Sequence, residues 1–463
     1  MMARDTRISA GAALLVWLLG LLACSAERPA EVDVDQRDEG VLEDLGALAA
    51  RDDVNLLYIV VDTLRSDRMS AYGYDRETTP NLDYFARTGI RFDDHWAQSS
   101  WTKASMASLW MGLYPERTQI LDHRDVVGPD VEMPAEVLGD AGFVTAGLWR
   151  NGWIAPNFGF GQGFEVYASP AAQQSPVEMR QPARAGRIDG TDIDLVFSAI
   201  EFLRANGDRR WFLYLHMMDV HQYITTPDNA LFGSTYSDAY DNSIRWTDDQ
   251  IGMIMEELHA LDLARKTLVV LVSDHGEAFG EHGAEGHARD VFREVVRTPF
   301  LIIPPFKMTT GIRVPFLSEN VDVWPTLYDI LGVRGVDRAD GVSLLPILVE
   351  RRPVREEDVT ISHLDAAWGR KDTEPITIVG LRRGSFRFIH DSRSPDGPLL
   401  FDLEQDPSEA DNVASAYSAE VSSLRARVDQ YLDLEPAWGE APQIELDEMH
   451  LRQLRALGYS IEE

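Results

Sequence analysis

Apolar residues in this chain gather into short unbroken runs that stop abruptly at polar, chemically capable residues. Val269-Val270-Leu271-Val272 reads as a strand buried on both faces of a parallel sheet, and it ends in Ser273-Asp274-His275-Gly276-Glu277. The run from Leu56 to Val61 ends at Asp62, and the run from Trp211 to Leu215 ends at His216, with Asp219 and His221 just beyond. In open α/β sheets ligands bind beyond the carboxyl ends of the strands, so three distant segments are predicted to deliver oxygen and imidazole ligands to one crevice. Between these runs the spacing turns helical. Thr79-Pro80-Asn81 looks like a helix start with Thr79 as N-cap, running to about Gly89. A second helix opens near Trp101-Thr102 with Met106, Leu109 and Trp110 on one face, and others are expected over 193–204, 242–259 and 323–331. Strands are predicted at 143–148 and 299–303, and the Gly-rich stretch 157–163 reads as loop.

Alternation of strand and helix to about residue 331 predicts an α/β fold, doubly wound around a mostly parallel sheet. After about residue 355 the pattern becomes four short strands, at 359–362, 376–379, 386–389 and 399–401, then a helix over 419–432. This implies a main domain over 53–350 and a small C-terminal antiparallel α+β subdomain over 351–463. Residues 24–52 are acidic and lack periodicity, which predicts a flexible tether.

The N-terminus changes the picture of where the protein resides. Arg4 and Arg7 precede an apolar stretch over 8–22 that ends in Leu21-Leu22-Ala23-Cys24-Ser25. This resembles a bacterial lipobox, so residues 1–23 are expected to be a signal peptide and Cys24 the lipidated residue. Ser25 after the cysteine favours the outer membrane, facing periplasm or cell surface. Cys24 is the only cysteine, which excludes an intrachain disulfide. The net charge of −33 argues against nucleic acid as a partner, because phosphate backbones require a basic footprint.

Val60-Val61-Asp62-Thr63-Leu64-Arg65-Ser66-Asp67, Tyr72-Gly73-Tyr74, Thr79-Pro80-Asn81-Leu82-Asp83, Ser100-Trp101-Thr102, Gly112-Leu113-Tyr114-Pro115 and Ser273-Asp274-His275-Gly276-Glu277 together resemble the sulfatase family of the alkaline phosphatase superfamily. Leu400-Phe401-Asp402-Leu403-Glu404-Gln405-Asp406-Pro407 and Asn412 resemble the signature of its C-terminal subdomain. The resemblance spans residues 54–415 and implies a metal-dependent hydrolase of sulfate esters. Physically, Asp62, Asp274 and His275 can hold one divalent cation (Ca, Mg, Mn or Zn). Thr102 would then be a fourth ligand and the nucleophile, since a metal lowers the pKa of a bound hydroxyl. Alternatively Thr102 only caps its helix.

Several positions depart from the family pattern. The usual motif is Cys or Ser, any residue, Pro, Ser, Arg; this chain has Thr102, Lys103, Ala104, Ser105 and Met106. Threonine cannot become formylglycine, so chemistry at an unmodified hydroxyl is expected, as in superfamily members that act on phosphate and phosphonate groups. Thr63 replaces the second Asp of the common Asp-Asp pair. Asp219, His221 and His287 could hold a second metal (Zn). Instead, His221 and His287 could contact the substrate or protonate the leaving group. Lys103, Arg150 and Asn151 are expected at the substrate, and Arg65 either binds an anion or fixes its loop. His123 and His282 are expected on the surface. The substrate is thus a small or polymeric sulfate or phosphate ester, and a non-catalytic receptor for anionic glycans is the rival reading.

Overall fold

The computed structural model describes residues 35–171, 178–179, 190–350, 354–355, 357, 359–367, 369, 373–446, 448, 451–452 and 454. The signal peptide and Cys24 lie outside the described residues. Eight strands form the central sheet: β1 (Asn55–Val61), β2 (Ile90–Trp96), β3 (Val144–Leu148), β4 (Val166–Ala168), β5 (Trp211–Met217), β6 (Thr267–Val272), β7 (Phe300–Ile303) and β8 (Ile312–Glu319). Their spatial order is β8-β2-β7-β6-β1-β5-β3-β4, and β7 alone runs against the rest. The mostly parallel α/β fold expected from the sequence is therefore present. β2 and β8 escape the apolar-run criterion because Arg91, Asp93, Asp94 and Arg313 interrupt them.

The continuous hydrophobicity of β1 has a direct reason. Its alternate residues enter two different cores. Leu56, Tyr58 and Val60 belong to one, with Trp110 and Trp324; Leu57, Ile59 and Val61 belong to the other, with Ile251, Ile254 and Leu258. In the first core Trp110 stacks on Trp324 at 5.3 Å and meets Tyr214 edge-on at 4.8 Å. Both faces are covered by helices, so every position of β1 is buried. Register then fixes the strand ends: Val60 lies opposite His216 of β5 and Val272 of β6.

The helix Tyr236–Ala260 begins six residues before the predicted start. Thr235 and Asp238 close a capping box, a polar start that apolar spacing cannot reveal. Thr79 precedes the Pro80–Thr88 helix as expected, but its hydroxyl donates to the Asp83 carboxylate and accepts from the Ala71 N–H at 3.2 Å rather than from the first turn of its own helix. Residues 38–50, which the sequence reading assigned to the acidic tether, are folded. Asp38–Gly40 pairs in parallel with Phe306–Met308, and the helix Leu42–Ala47 with its following turn buries Leu45 and Leu48. Leu42, Leu45 and Leu48 recur every three residues, a helical signal masked by the surrounding acids.

Four antiparallel strands, Val359–Asp365, Thr377–Arg383, Phe386–Asp391 and Leu399–Asp402, pair in sequence order and pack on the helix Ser418–Leu432. This is the C-terminal subdomain as predicted, although everything from Gln36 onward forms a single compact unit.

His282 is not a free surface residue. Its ring lies flat on Phe292 at 3.8 Å, Nδ1–H donates to Glu294 at 2.7 Å, and Nε2–H donates to the Glu409 carbonyl at 3.0 Å. It thereby ties the loop after β6 to the C-terminal subdomain. Burial works against the charged imidazole, but the Glu294 hydrogen bond and charge outweigh it and raise its pKa from 6.5 to about 9. A pKa raised by folding means stability that is complete below the unfolded value and lost as pH rises through the folded one. The melting-temperature gap between wild type and His282→Gln should therefore be widest below pH 6.5 and vanish as pH passes about 9. A gap independent of pH would show that the ring acts through stacking alone.

Candidate active site

Asp62, Asp274 and His275 follow β1 and β6 at the same edge of the sheet, and all are fully buried. One oxygen of each carboxylate is satisfied by protein. Asp62 Oδ2 accepts from Asn151 Nδ2 at 2.6 Å and His216 Nε2 at 3.1 Å. Asp274 Oδ1 accepts from the backbone N–H groups of Thr63 at 3.2 Å and His275 at 2.9 Å. The other oxygens, Asp62 Oδ1 and Asp274 Oδ2, are buried without a hydrogen-bond partner. His275 Nε2 lies 3.9 Å from the first and 3.4 Å from the second. Because His275 Nδ1–H donates to the Gly276 carbonyl at 3.0 Å, Nε2 of the neutral ring presents a lone pair. Three lone pairs converge with no proton to separate them, the donor set that a divalent cation satisfies. The residues present fit such an ion.

Electrostatics point the same way. Burial pushes both carboxyls up. Around Asp62 the imidazoles of His221, His216 and His275 outweigh burial and hold it well below the usual carboxylate range. Asp274, facing the charge of Asp62, is driven far above that range. A second negative charge beside Asp62 is therefore costly, and a cation between the two carboxylates would relieve that cost.

Thr102 opens the helix Thr102–Met111 after Trp101, which occupies the cap position. Its hydroxyl meets side chains of the centre. Oγ1 lies 3.1 Å from His275 Nε2 and accepts from Asn151 Nδ2 at 3.4 Å. Asn151 itself is held by accepting the Trp153 N–H at 2.9 Å, so it bridges Asp62 and Thr102 from a fixed position. Ser105 donates to the Asp274 carbonyl and pins the helix to the end of β6. Gly276 is required by contact rather than by dihedral angle, since a Cβ there would meet the Glu294 carbonyl at 2.1 Å. Thr63 adopts φ 62°, a left-handed conformation that costs a β-branched residue about 1–2 kcal/mol, and this turns its N–H toward Asp274.

A line of imidazoles leaves the centre. The His287 ring lies 4.6 Å from His275 and 5.0 Å from His221. Burial lowers the pKa of His221 to about 4 and of His287 to about 3. Glu277 lies beneath, 3.3 Å from His287 Nδ1, and burial raises it to about 7.

Other predicted residues are not brought here. Both oxygens of Asp219 are committed: Oδ1 accepts from Arg150 at 2.6 Å and the Asp192 N–H at 3.1 Å, Oδ2 from Trp246 at 3.0 Å and Gln250 at 3.2 Å. It therefore does not join His221 and His287 in a second metal cluster; among the described residues the one carboxylate-imidazole cluster is Asp62, His216 and Asp274. Arg150 is held by Asp192, Asp219, Gln222 and the Gly190 carbonyl, so it braces the loops instead of facing substrate. Lys103 turns away as well. It donates to the His123 carbonyl at 2.8 Å and lies 3.9 Å over the Phe158 ring, with burial lowering its pKa to about 7. His123 is half-buried and accepts the Gly369 N–H through Nδ1. Arg65 fixes its loop, pairing with Asp67 and Glu281 and donating to the Glu277 carbonyl.

His216, marked by the sequence at a strand end but given no metal role, is a further ligand candidate. Its Nε2 and the oxygens of Asp62 and Asp274 lie within 4.8 Å of one another. Its position at the end of β5, level with Val60, was the available signal. In the present arrangement Nε2–H donates to Asp62 while Nδ1 accepts from Tyr214 at 2.9 Å, so the ring orients the carboxylate.

With this geometry in view, the sulfatase family profile matches residues 54–333, and a profile for the C-terminal part of N-sulphoglucosamine sulphohydrolase matches 280–433. Choline-sulfatase of Rhizobium meliloti is 24% identical over 436 residues, covering 78% of this chain and 82% of that protein. Human N-acetylgalactosamine-6-sulfatase is 26% identical, covering 66% and 68%. Among solved structures, a 2-O GAG sulfatase superposes with a TM-score of 0.68 at 18% identity, covering 82% of this chain and 92% of that one. The phosphonate monoester hydrolase of Agrobacterium radiobacter gives 0.65 at 19%, covering 81% and 95%.

Metal titration of the chelator-treated chain checks the site. A divalent ion at 100 times its Kd should stabilise the fold by about 2.7 kcal/mol. Asp274→Asn should raise the melting temperature of the metal-free form, by removing carboxylate repulsion, and abolish the response to metal. A metal response that survives in Asp274→Asn would place the ion elsewhere.

Proposed function

This chain belongs to the sulfatase family, and on that premise we propose that it is a metal-dependent hydrolase of sulfate esters whose nucleophile is the unmodified hydroxyl of Thr102. The observation that supports this most directly is the buried Thr102 Oγ1 at 3.1 Å from His275 Nε2, beside the orphaned oxygens of Asp62 and Asp274. A divalent ion bound by Asp62, Asp274 and His275, with His216 as a further candidate, would acidify the hydroxyl and draw charge from a sulfuryl oxygen. Thr102 Oγ1 attacks sulfur as its proton passes to neutral His287 or His221, and the bond to the leaving oxygen breaks as that imidazolium hands the proton on to it. Water then attacks the Thr102 sulfate ester, restoring the hydroxyl and releasing sulfate. Asn151 holds Thr102 and Asp62 in mutual position throughout.

Phosphate or phosphonate monoesters are the second reading. It is favoured by the absence of a formylglycine precursor at Thr102 and by Met106 where an arginine is usual. The alcohol released is open in chemistry, since relatives named for choline and for an amino sugar are matched at similar identity.

Assays of aryl sulfate, phosphate monoester and phosphonate substrates with the metal-loaded chain test both readings. Thr102→Ala should lose about 10³-fold or more in kcat, while Thr102→Ser keeps measurable turnover. Turnover unchanged in Thr102→Ala would remove the nucleophile assignment. The lipobox-like end at Leu21-Leu22-Ala23-Cys24 supports a lipid-anchored, envelope-facing enzyme. Expression in a bacterial host should give a membrane-associated form that Cys24→Ser converts to a soluble or uncleaved one, read by fractionation and intact mass.

A further inference from the structure

A cavity of about 490 Å³ opens at the edge of the central sheet, lined in part by Asp83, Arg87, Arg91, Thr309, Thr310 and Arg313. Its volume falls in the range of small-molecule sites and exceeds what a single inorganic ion fills. Arg91 and Arg313 are the second residues of β2 and β8, near the amino ends of those strands. The candidate metal ligands lie beyond the carboxyl ends of β1 and β6, and none of them lines this cavity.

The charges around the cavity work against the fold. Arg91 and Arg313 are register partners on neighbouring parallel strands, so two guanidinium groups leave one face of the sheet side by side. Like charges placed directly opposite each other destabilise a sheet. Asp93 bridges them, accepting from Arg91 Nε at 2.8 Å and Arg313 Nε at 2.9 Å, and Arg91 also donates to the Ala71 carbonyl. Arg87, exposed in the last turn of the Pro80–Thr88 helix, has no hydrogen-bond or ion-pair partner among the described residues. The helix dipole accounts for a basic residue there, but not for two more arginines that face each other. Asp83 Oδ1 is occupied by the hydroxyls of Ser70 at 3.0 Å and Thr79 at 2.9 Å. Three guanidinium groups thus meet the two carboxylates Asp83 and Asp93, on a chain whose acidic side chains outnumber the basic ones 76 to 43. Gly311 brings the loop with Thr309 and Thr310 against the helix end, where a Cβ would meet the Ala86 carbonyl at 2.4 Å.

We propose that this cavity binds a sugar unit bearing sulfate or another tetrahedral oxyanion, with Arg87, Arg91 and Arg313 taking the anion and Thr309, Thr310 and Asp83 Oδ2 taking ring hydroxyls. An oxyanion supplies the negative charge that the facing arginines lack, and guanidinium forks match its paired oxygens. Donors remain for it: Arg91 Nη2, Arg313 Nη1 and the whole Arg87 guanidinium make no hydrogen bond among the described residues. The two threonine hydroxyls are exposed and equally unengaged, and Asp83 Oδ2 accepts nothing. Space beyond the anion, ringed by hydroxyls and a carboxylate, suits a hydroxyl-rich body rather than a bare ion or an apolar one. The inference goes beyond the reading of the centre and stands apart from it, since binding here needs neither the metal nor turnover.

Calorimetric titration of the chelator-treated full chain, at about 50 mM salt so that screening is modest, provides the test. The probes are a short sulfated dextran oligosaccharide, its unsulfated parent and inorganic sulfate. Wild type is compared with Arg87→Ala/Arg313→Ala and with Arg334→Ala/Arg393→Ala, a control that removes the same charge from side chains 84% and 54% exposed elsewhere. The Kd for the sulfated oligosaccharide should rise at least about tenfold in the cavity pair and less than about twofold in the control pair. Melting temperatures are measured alongside, and Arg87→Gln/Arg313→Gln gives the same readout if the alanine pair is less stable. Failure of the sulfated oligosaccharide to bind wild type overturns the site. Equal losses in both pairs would show diffuse charge attraction, which also overturns it. Equal binding of the unsulfated parent would remove the oxyanion, and inorganic sulfate binding as tightly as the oligosaccharide would remove the sugar.

Discussion

Two carboxylates buried face to face form the constraint around which this fold is arranged. Separating Asp62 from Asp274 would be the simple way to lower the energy, yet the parallel pairing of β1 with β6 holds them at adjacent strand ends. The remaining polar groups respond to that placement. Asn151 and His216 donate to one carboxylate, and the N–H groups of Thr63 and His275 donate to the other. Each takes the oxygen on one side only, so that the two facing oxygens stay bare. Such a pattern stores unfavourable electrostatics in a region whose hydrophobic cores, packed on both sheet faces, are large enough to tolerate it.

Among the described residues, three of the six non-glycine residues with positive φ lie close behind residues of this region. Of the non-glycine residues with positive φ, Thr63 follows Asp62 and Ala288 follows His287. Tyr223, also in this class, comes two residues after His221. Each of these turns redirects the chain directly after a residue whose side chain faces the centre. The loop that contains Glu277 and His287 is further anchored by His282 to the C-terminal subdomain, which gives that small sheet a part in shaping the site although it contributes no ligand.

The sequence made the ligands legible because buried parallel strands are written as unbroken apolar runs, and a polar residue at the end of such a run has few other reasons to be there. Asp62, Asp274 and His275 were readable in this way, and Thr102 became readable through the family likeness. Side-chain direction was not. Lys103 is adjacent to Thr102, but the helical rotation of about 100° per residue turns it under the loop at His123. Arg150 adjoins Asn151, yet successive residues past a strand end diverge, and only the asparagine reaches the centre. Asp219 was misassigned because spacing from His221 says nothing about the buried Arg150 that claims it. His216 was marked at the end of its apolar run but given no metal role, because an imidazole there also reads as part of the strand. The folded segment at 38–50 was hidden by charge density, since its three leucines alone signal a helix.

Lys103 is turned inward and Arg150 is fully paired, so neither of these two cations is directed at an anionic ester. On a polypeptide with 76 acidic and 43 basic side chains, an unmetallated cleft would repel the molecule it is meant to receive. On the proposed reading, affinity for the anion would be conditional on the cation, with an order of assembly: ion first, ester second. Starvation for the ion would then silence the protein at the stage of encounter, before any bond is at issue.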